Sequence, residues 1–265
     1  PFVTGRESDG AFMAVTIPYI MFDVDVEKVL AYREQDEDFA KARRKAAEEG
    51  VALSSEDKFK STTVHAGIRP NTLFSNIVRV RNVDATDPWA VTRAEIEARK
   101  RIYQHLEFFR RYVPGCENAY VGKTGEQAGI RDSRRIVGEA KLVAEDCTSF
   151  RKREDTILRC AGPFDNTTRG SELLPIEDVS DMYDYYDIPY GVMVPKNTEN
   201  LLVAGRSFSS DHLAQSGSRG MGLLMGMGEA AGTAANMVGS RKIPARDVPV
   251  NELQAVLTAN GVNLQ

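Results

Sequence analysis

Residues 201–237 hold the side chains and glycines best suited to chemistry, and they read LLVAGRSFSSDHLAQSGSRGMGLLMGMGEAAGTAANM. The continuous apolar run 201–204 is typical of a buried central strand in a parallel sheet. A glycine-rich helix is predicted to open at residues 218–222. Because a helix start presents unpaired N–H groups and a positive dipole end, it suits an anion or the electron-rich edge of a reduced ring. Gly217, Gly220 and Gly222 would let such a planar ligand approach the backbone closely.

Two histidines are candidates for moving a substrate proton, since an imidazole is about half-charged near neutral pH. His212 lies in the loop before the glycine-rich helix, and His65 lies in the sequence Thr-Val-His-Ala. The alternative for His212 is a solvated or structural side chain, which is the commoner role of a lone loop histidine. His105 is predicted to be a surface residue on a charged helix.

Arginines are the candidates for binding an oxyanion, because the guanidinium fork meets oxyanions in a defined geometry. On a strand, Arg131 and Arg135 would share one face while Arg134 opposes them. Arg131 and Arg135 are therefore predicted to orient a carboxylate or keto oxygen of a substrate. Arg219, at the start of the glycine-rich helix, is favoured for a cofactor or substrate anion. The alternative is a set of salt bridges to the many acidic residues.

Hydrolase and metal sites are disfavoured. Ser209, Ser210, Asp211 and His212 are adjacent in sequence, which rarely lets a triad converge, and no GxSxG motif is present. The three histidines lack metal-ligand spacing with cysteines or carboxylates, so no metal site is predicted.

Strands and helices together must position these residues. The predicted elements are a buried strand at 12–22, helices at 26–34 and 36–49, sheet at 58–84 with an alternating strand at 77–83, a helix starting at Thr92 and ending at Pro114 and Gly115, an arginine-rich strand pair at 129–146, an irregular polar segment at 151–184, and the strand and helix of residues 201–239. Thr92 and Glu95 have the spacing of a capping box, and Gly50 stands where a C-terminal glycine belongs.

The composition is that of an ordinary soluble globular protein, with 42% hydrophobic and 27% charged residues. A net charge of −4 without long blocks of like charge argues against nucleic acid as a partner. Three cysteines without CxxC spacing argue against a disulfide framework and favour a reducing, cytoplasmic compartment. Residues 220–239 contain Glu229 and six glycines, so they are better explained as a packed helix than as a membrane span.

Four motifs in order carry a family resemblance. They are Gly-Arg-Glu-Ser-Asp-Gly at 5–10, Gly-Ile-Arg-Asp-Ser-Arg-Arg-Ile at 129–136, Ile-Pro-Tyr at 188–190, and the strand 200–206 leading into the glycine-rich helix. Nearly the whole chain resembles the C-terminal part of FAD-dependent oxidoreductases that have a glutathione-reductase-type cofactor domain.

The resemblance implies an α/β fold with FAD as cofactor and a small-molecule substrate. Its implied flavin contacts are Gly205, Arg206, Ser218, Arg219, Gly220, Met221 and Gly222. Tyr190 joins Arg131 and Arg135 as a substrate-binding candidate. The implied domains are a flavin-domain strand and crossover at 1–25, a substrate or cap domain of mixed sheet and helices at 26–186, the flavin-binding strand, loop and helix at 187–242, and a tail at 243–265.

Two departures from the family pattern shape the expected function. Gly191 stands where the family commonly has an arginine, and no GxGxxG unit for the pyrophosphate is present. The chain also begins at Pro1. We therefore expect an FAD-dependent dehydrogenase or oxidase whose ADP site lies on an upstream polypeptide, either a cleaved half or a separate subunit. The alternatives are a cofactor-free structural subunit and a flavin hydroxylase that uses oxygen.

Overall fold

The computed structural model describes residues 1–60, 63–168 and 184–264. The chain divides into two compact units. The split unit consists of Pro1–Met13 and Arg131–Gln265, and the inserted unit consists of Ala14–Ile130. The sequence predicts functional-domain boundaries after residues 25, 186 and 242. The two compact units instead meet after residues 13 and 130, so the functional domains stay a prediction.

The helices and strands lie in the following order along the chain. They are β1 (Phe2–Thr4), β2 (Tyr19–Phe22), α1 (Val26–Gln35), α2 (Ala40–Glu48), β3 (Val64–Ala66), β4 (Thr72–Ser75), α3 (Pro88–Tyr112), β5 (Tyr120–Thr124), β6 (Arg134–Ile136), α4 (Ala144–Thr148), β7 (Thr156–Cys160), β8 (Tyr186–Pro189), α5 (His212–Ser218), α6 (Met221–Arg241) and α7 (Val250–Ala259). The predicted α/β class is confirmed. Among the helices of the described residues, none combines the length and apolarity needed to cross a membrane.

The inserted unit is built on a four-stranded antiparallel sheet in the order β3-β4-β2-β5. Side chains alternate between the two faces of a strand, so Tyr19 and Met21 of β2 point into a core that also holds Leu73. Helix α3 covers this face, since the Tyr19 hydroxyl lies 3.1 Å from Nδ1 of His105 on α3. The opposite face carries half-buried Ile20 and stays open.

Helix α3 begins one turn earlier than predicted. The Asp87 carboxylate accepts hydrogen bonds from the N–H groups of Trp89 and Ala90, and Pro88 occupies the first turn, where its missing donor costs nothing. The predicted capping box is wrong because Thr92 lies inside the helix, where its hydroxyl donates to the Pro88 carbonyl oxygen. The predicted end is confirmed.

Helices α1 and α2 confirm the two predicted helices, although a kink delays the second. Asp38 and Phe39 have positive φ angles of 54° and 53° and separate the helices. The buried Asp36 carboxylate accepts hydrogen bonds from the N–H groups of Lys41 and Ala42. Asp36 therefore caps the start of α2 although it precedes the kink in sequence. Gly50, with φ of 81°, follows the helix as predicted.

The alternating strand predicted at 77–83 is wrong. Ile77 and Val78 are neighbours in sequence and both are fully buried. In the predicted strand, successive side chains would alternate between a buried face and an exposed face. Val80 makes only an isolated bridge to Val15. The sheet predicted within 58–84 is confirmed as β3 and β4, and the strand predicted at 12–22 shortens to β2.

The split unit has two antiparallel pairs, β1 with β6 and β7 with β8, and packs α4–α7 around a second core. The central parallel strand predicted at 201–204 is wrong: these residues form no strand, and Leu201 is 45% exposed. The strand pair predicted at 129–146 is one strand, β6, followed by helix α4. The segment 151–184, predicted to be irregular, contains β7, and its residues 169–183 lie outside the described residues.

Candidate functional site

The junction of α5 and α6 is the centre of the candidate site. Asp211 starts α5, since its carboxylate accepts hydrogen bonds from the N–H groups of Ala214 at 2.7 Å and Ala144 at 2.8 Å. Gly220 occupies the N-cap of α6 and provides no side chain to cap it. The first N–H groups of a helix have no acceptor within the helix, so α6 begins with uncapped donors and its positive dipole end.

A cavity of about 350 Å³ opens beside this junction. It is lined by glycines and by the end of β7, including Cys160, Gly162, Gly217, Gly220, Gly222 and Gly226. A Cβ added at Gly220 or Gly222 would meet no atom within 4 Å, so both glycines face open space. Uncapped donors beside a glycine-lined cavity of this size fit a planar ring system with an electron-rich edge.

The wall of this cavity depends on two glycines whose backbones touch. A Cβ on Gly162 would overlap the carbonyl oxygen of Gly217, and a Cβ on Gly217 would lie 3.1 Å from the carbonyl oxygen of Gly162. The sequence does not identify Gly162 as a residue of the site, because the contact that requires a glycine there is made with Gly217, far along the chain. A glycine just after a short apolar strand was the only local signal.

Ser218 and Arg219 lie at the predicted place but already have protein partners. The Ser218 hydroxyl is 2.8 Å from the hydroxyl of Tyr186, and both residues are buried. Burial raises the pKa of Tyr186 well above its ordinary value, so the phenol stays protonated. Arg219 donates to the carboxylate of Asp165 at 2.6 Å and to its carbonyl oxygen at 2.9 Å. A ligand anion would therefore meet a guanidinium that is already partly neutralised.

Gln215 on α5 connects the segment of Gly205 and Arg206 to the junction. Its amide donates to the Arg206 carbonyl oxygen at 3.3 Å and to the Arg131 carbonyl oxygen at 2.8 Å. Gly205 has φ of 96°, a backbone conformation that favours glycine, and the Arg206 residue is exposed. The structure thus places the predicted flavin contacts on one part of the split unit.

His212 is buried inside the split unit rather than exposed in a loop, with 1% of its surface accessible. Its Nε2 is 2.6 Å from the hydroxyl of Thr168, and its Nδ1 is 3.1 Å from the carboxylate of Asp132. Asp132 also accepts a hydrogen bond from the N–H of Met13. His212 thus belongs to an interior polar network, and its predicted catalytic role stays a prediction.

Arg135 and Tyr190 are also buried with protein partners. The Arg135 guanidinium donates to the carbonyl oxygens of Gly5 at 2.7 Å and Ser210 at 3.1 Å. The Tyr190 hydroxyl donates to the carbonyl oxygen of Ala245 at 2.8 Å. Such placements are typical of structural side chains, and substrate binding by these two residues and by Arg131 stays a prediction.

The other two histidines lie in the inserted unit. His65 on β3 is exposed and stacks on Phe74, with ring centroids 5.1 Å apart, at the edge of a second cavity. The surface position predicted for His105 is wrong: this residue is fully buried, and its Nε2 lies 2.8 Å from the carboxylate of Asp57. The described residues contain no cluster of three or more His, Cys, Asp or Glu side chains that could hold a metal.

Comparison with known proteins gives one match. A family model described as FAD dependent oxidoreductase matches residues 1–257, a range that includes the whole α5–α6 junction. No curated protein and no solved structure gives a significant match.

Proposed function

Because this chain belongs to the family of FAD-dependent oxidoreductases, as its motifs predicted, we propose that the glycine-lined cavity at the start of α6 receives the flavin ring. The observation that carries the proposal is the uncapped start of α6 at Gly220, which opens on that cavity. FAD supplies hydride transfer when it is bound, and the protein supplies position and electrostatics.

In this proposal, the backbone at the start of α6 provides most of the contacts to the ring. The N–H groups of Met221 and Gly222 would hold an electron-rich edge of the ring, because the start of α6 has no side-chain cap and the helix dipole favours negative charge there. Since Gly220 and Gly222 have no side chains and a Cβ at either would meet no atom within 4 Å, a flat ring could reach the backbone there without a clash. Arg219, held by Asp165, adds positive charge at the same end of the helix.

The surroundings of His212 argue against a role in moving the substrate proton. His212 is buried and both of its nitrogens face protein oxygens, whereas His65, on the inserted unit, is exposed and its catalytic role stays a prediction. A group that exchanges a proton with a substrate must come within hydrogen-bond reach of it. We assign His212 to holding Asp132 and Thr168 in place.

A further polypeptide, upstream on the same chain or a separate subunit, completes the FAD site by binding the ADP end. The 265 residues contain no GxGxxG unit for the pyrophosphate. Helix α6 also presents an exposed stripe to such a partner. Its members are Met221, Met225, Gly228, Gly232 and Ala235, and a Cβ at either glycine would meet no atom within 4 Å. Small residues spaced in this way let another backbone approach closely.

Flavin absorption of the purified assembly, chain plus upstream polypeptide, tests the flavin site. Gly222→Leu places a bulky side chain at the cavity from a position where a Cβ meets no atom within 4 Å, so it should abolish the flavin bands. Gly239→Leu is the matched control at the far end of α6, where a Cβ also meets no atom within 4 Å. Equal flavin content in the two variants would show that the flavin does not bind in this cavity. An assembly without any flavin would favour the cofactor-free structural subunit.

Native mass spectrometry tests the partner. We expect FAD to be retained only in a complex of this chain with the upstream polypeptide. Gly232→Leu should weaken that complex because it places a bulky side chain on the exposed stripe of α6. A monomer of this chain that carries FAD alone would refute the two-polypeptide site.

A further inference from the structure

The open face of the sheet in the inserted unit forms a cavity of about 650 Å³, a volume typical of small-molecule sites. Its floor is apolar and partly aromatic, with Ile20, Phe22 and Phe74 on adjacent strands. The β3–β4 hairpin forms one wall. All of these residues belong to the inserted unit, so the cavity does not depend on the α5–α6 junction.

Two glycines keep this floor in shape. Gly122 sits where the register of β5 shifts against β2, and a Cβ there would overlap the ring of Phe22. Gly67 lies against Thr72, and a Cβ there would overlap the Thr72 hydroxyl. The Phe22 ring is therefore free to lie along the sheet and stack on Tyr120, with centroids 5.8 Å apart. The result is a flat apolar surface rather than a packed core.

Three basic side chains stand around this surface. His65 stacks on Phe74, and Arg69 and Lys123 line the same cavity. Within the residues that the structure describes, no hydrogen bond or ion pair engages these three side chains, and no Asp or Glu lines the cavity. Some other exposed arginines have acidic partners, as Arg246 has Glu199. A locally positive cavity in a chain of net charge −4 is complementary to an anion.

We propose that this cavity binds a small organic carboxylate with a flat apolar body. The body lies on the floor made by Ile20, Phe22 and Phe74, where it removes apolar surface from water. The carboxylate meets Arg69 and Lys123, which border this floor together with His65. The proposal goes beyond the flavin site, since the inserted unit alone provides every contact.

Calorimetric titration of the full chain with trans-cinnamate tests the proposal. Cinnamamide has the same flat body without the charge, and acetate has the charge without the body. We expect cinnamate to bind and both of the others to bind at least roughly tenfold more weakly, because each loses one of the two contributions. Raising the salt concentration should weaken cinnamate binding, since exposed charges are screened.

Substitutions inside and outside the cavity test whether cinnamate binds there or elsewhere on the surface. Arg69→Gln with Lys123→Gln should weaken cinnamate binding roughly tenfold, as expected for two exposed charge contacts. Lys100→Gln removes the same kind of charge from an exposed position on α3 of the same unit and should leave binding unchanged. No binding of cinnamate, equal binding of cinnamamide, or an unaffected double variant would overturn the proposal. The titration needs no flavin, so its failure is distinct from failure of the flavin site.

Discussion

The backbones of Gly162 and Gly217 touch, so that a Cβ on Gly217 would lie 3.1 Å from the carbonyl oxygen of Gly162. This contact joins the residues after β7 to the last turn of α5. Both glycines line the cavity at the start of α6. The shape of the candidate flavin site therefore depends on a contact between segments that are distant in sequence.

Replacing Gly162 by alanine should destabilise the split unit by about 1–3 kcal/mol, because the new methyl group would overlap the Gly217 carbonyl oxygen. Flavin content should fall as well. Gly226→Ala is the control, since its Cβ would lie 3.5 Å from Leu158, an ordinary contact, and alanine favours a helix by up to about 1 kcal/mol. Urea unfolding of both variants gives the comparison. Equal stabilities would show that the Gly162 contact relaxes at no cost.

Replacing His105 by phenylalanine should destabilise the inserted unit by about 2–4 kcal/mol. The fully buried Asp57 carboxylate loses its bond to Nε2, and the Tyr19 hydroxyl loses its neighbour. Denaturant unfolding of His105→Phe, Asp57→Asn and the double variant isolates the pair. We expect the double variant to lose less than the sum of the single losses. Additive losses would mean that the two side chains do not stabilise one another.

Lowering the pH should reduce the stability of the folded protein, and Asp36 should account for part of that loss. Burial alone would raise the pKa of this carboxyl, but the N–H groups of Lys41 and Ala42 outweigh burial and hold its pKa below the ordinary value. The stabilisation is therefore present above the ordinary aspartate pKa of about 4 and is lost as the pH falls through the lower folded-state pKa. The stability difference between the natural protein and Asp36→Asn, measured from pH 7 to pH 2, should shrink below about pH 4. A constant difference would contradict this role.

The three thiols should react slowly in the folded protein. Cys116, Cys147 and Cys160 are free and buried, and burial raises the pKa of Cys116 and of Cys147 to about 12 each. The thiolate fraction of Cys116 and Cys147 at pH 8 is then on the order of 10⁻⁴. A disulfide reagent should therefore titrate Cys116 and Cys147 only in denaturant, and Cys160 should react before them in the native protein because it lines the cavity. Rapid reaction of Cys116 in the native state would contradict its burial.

Local signals in the sequence predicted the helices better than the strands. Helix α1, the glycine at the end of α2 and the end of α3 follow from periodicity and end signals that lie within a few residues. The run 201–204 is apolar, yet Leu201 is 45% exposed and the run joins no strand within the described part of the chain. Whether an apolar run becomes a strand depends on partners that sequence periodicity does not reveal.

The burial of His105 was predictable, and its charged neighbours obscured it. His105 follows Ile102 by three residues and precedes Phe109 by four, so it lies on the apolar stripe of α3. The glycines at the start of α6 were also predictable, since they are adjacent in sequence. The contacts of His212 with Thr168 and Asp132 were not, because they join residues from three distant segments.

The insertion of residues 14–130 between the two parts of the split unit sets an order of events on the ribosome. Strand β1 is translated before the inserted unit, yet its partner β6 emerges only after the whole inserted unit. Contiguous domains generally fold as units during synthesis, so the inserted unit has its complete sequence available earlier. We therefore expect the inserted unit to fold before the split unit during synthesis, with residues 1–13 held in place only after residues 134–136 have emerged.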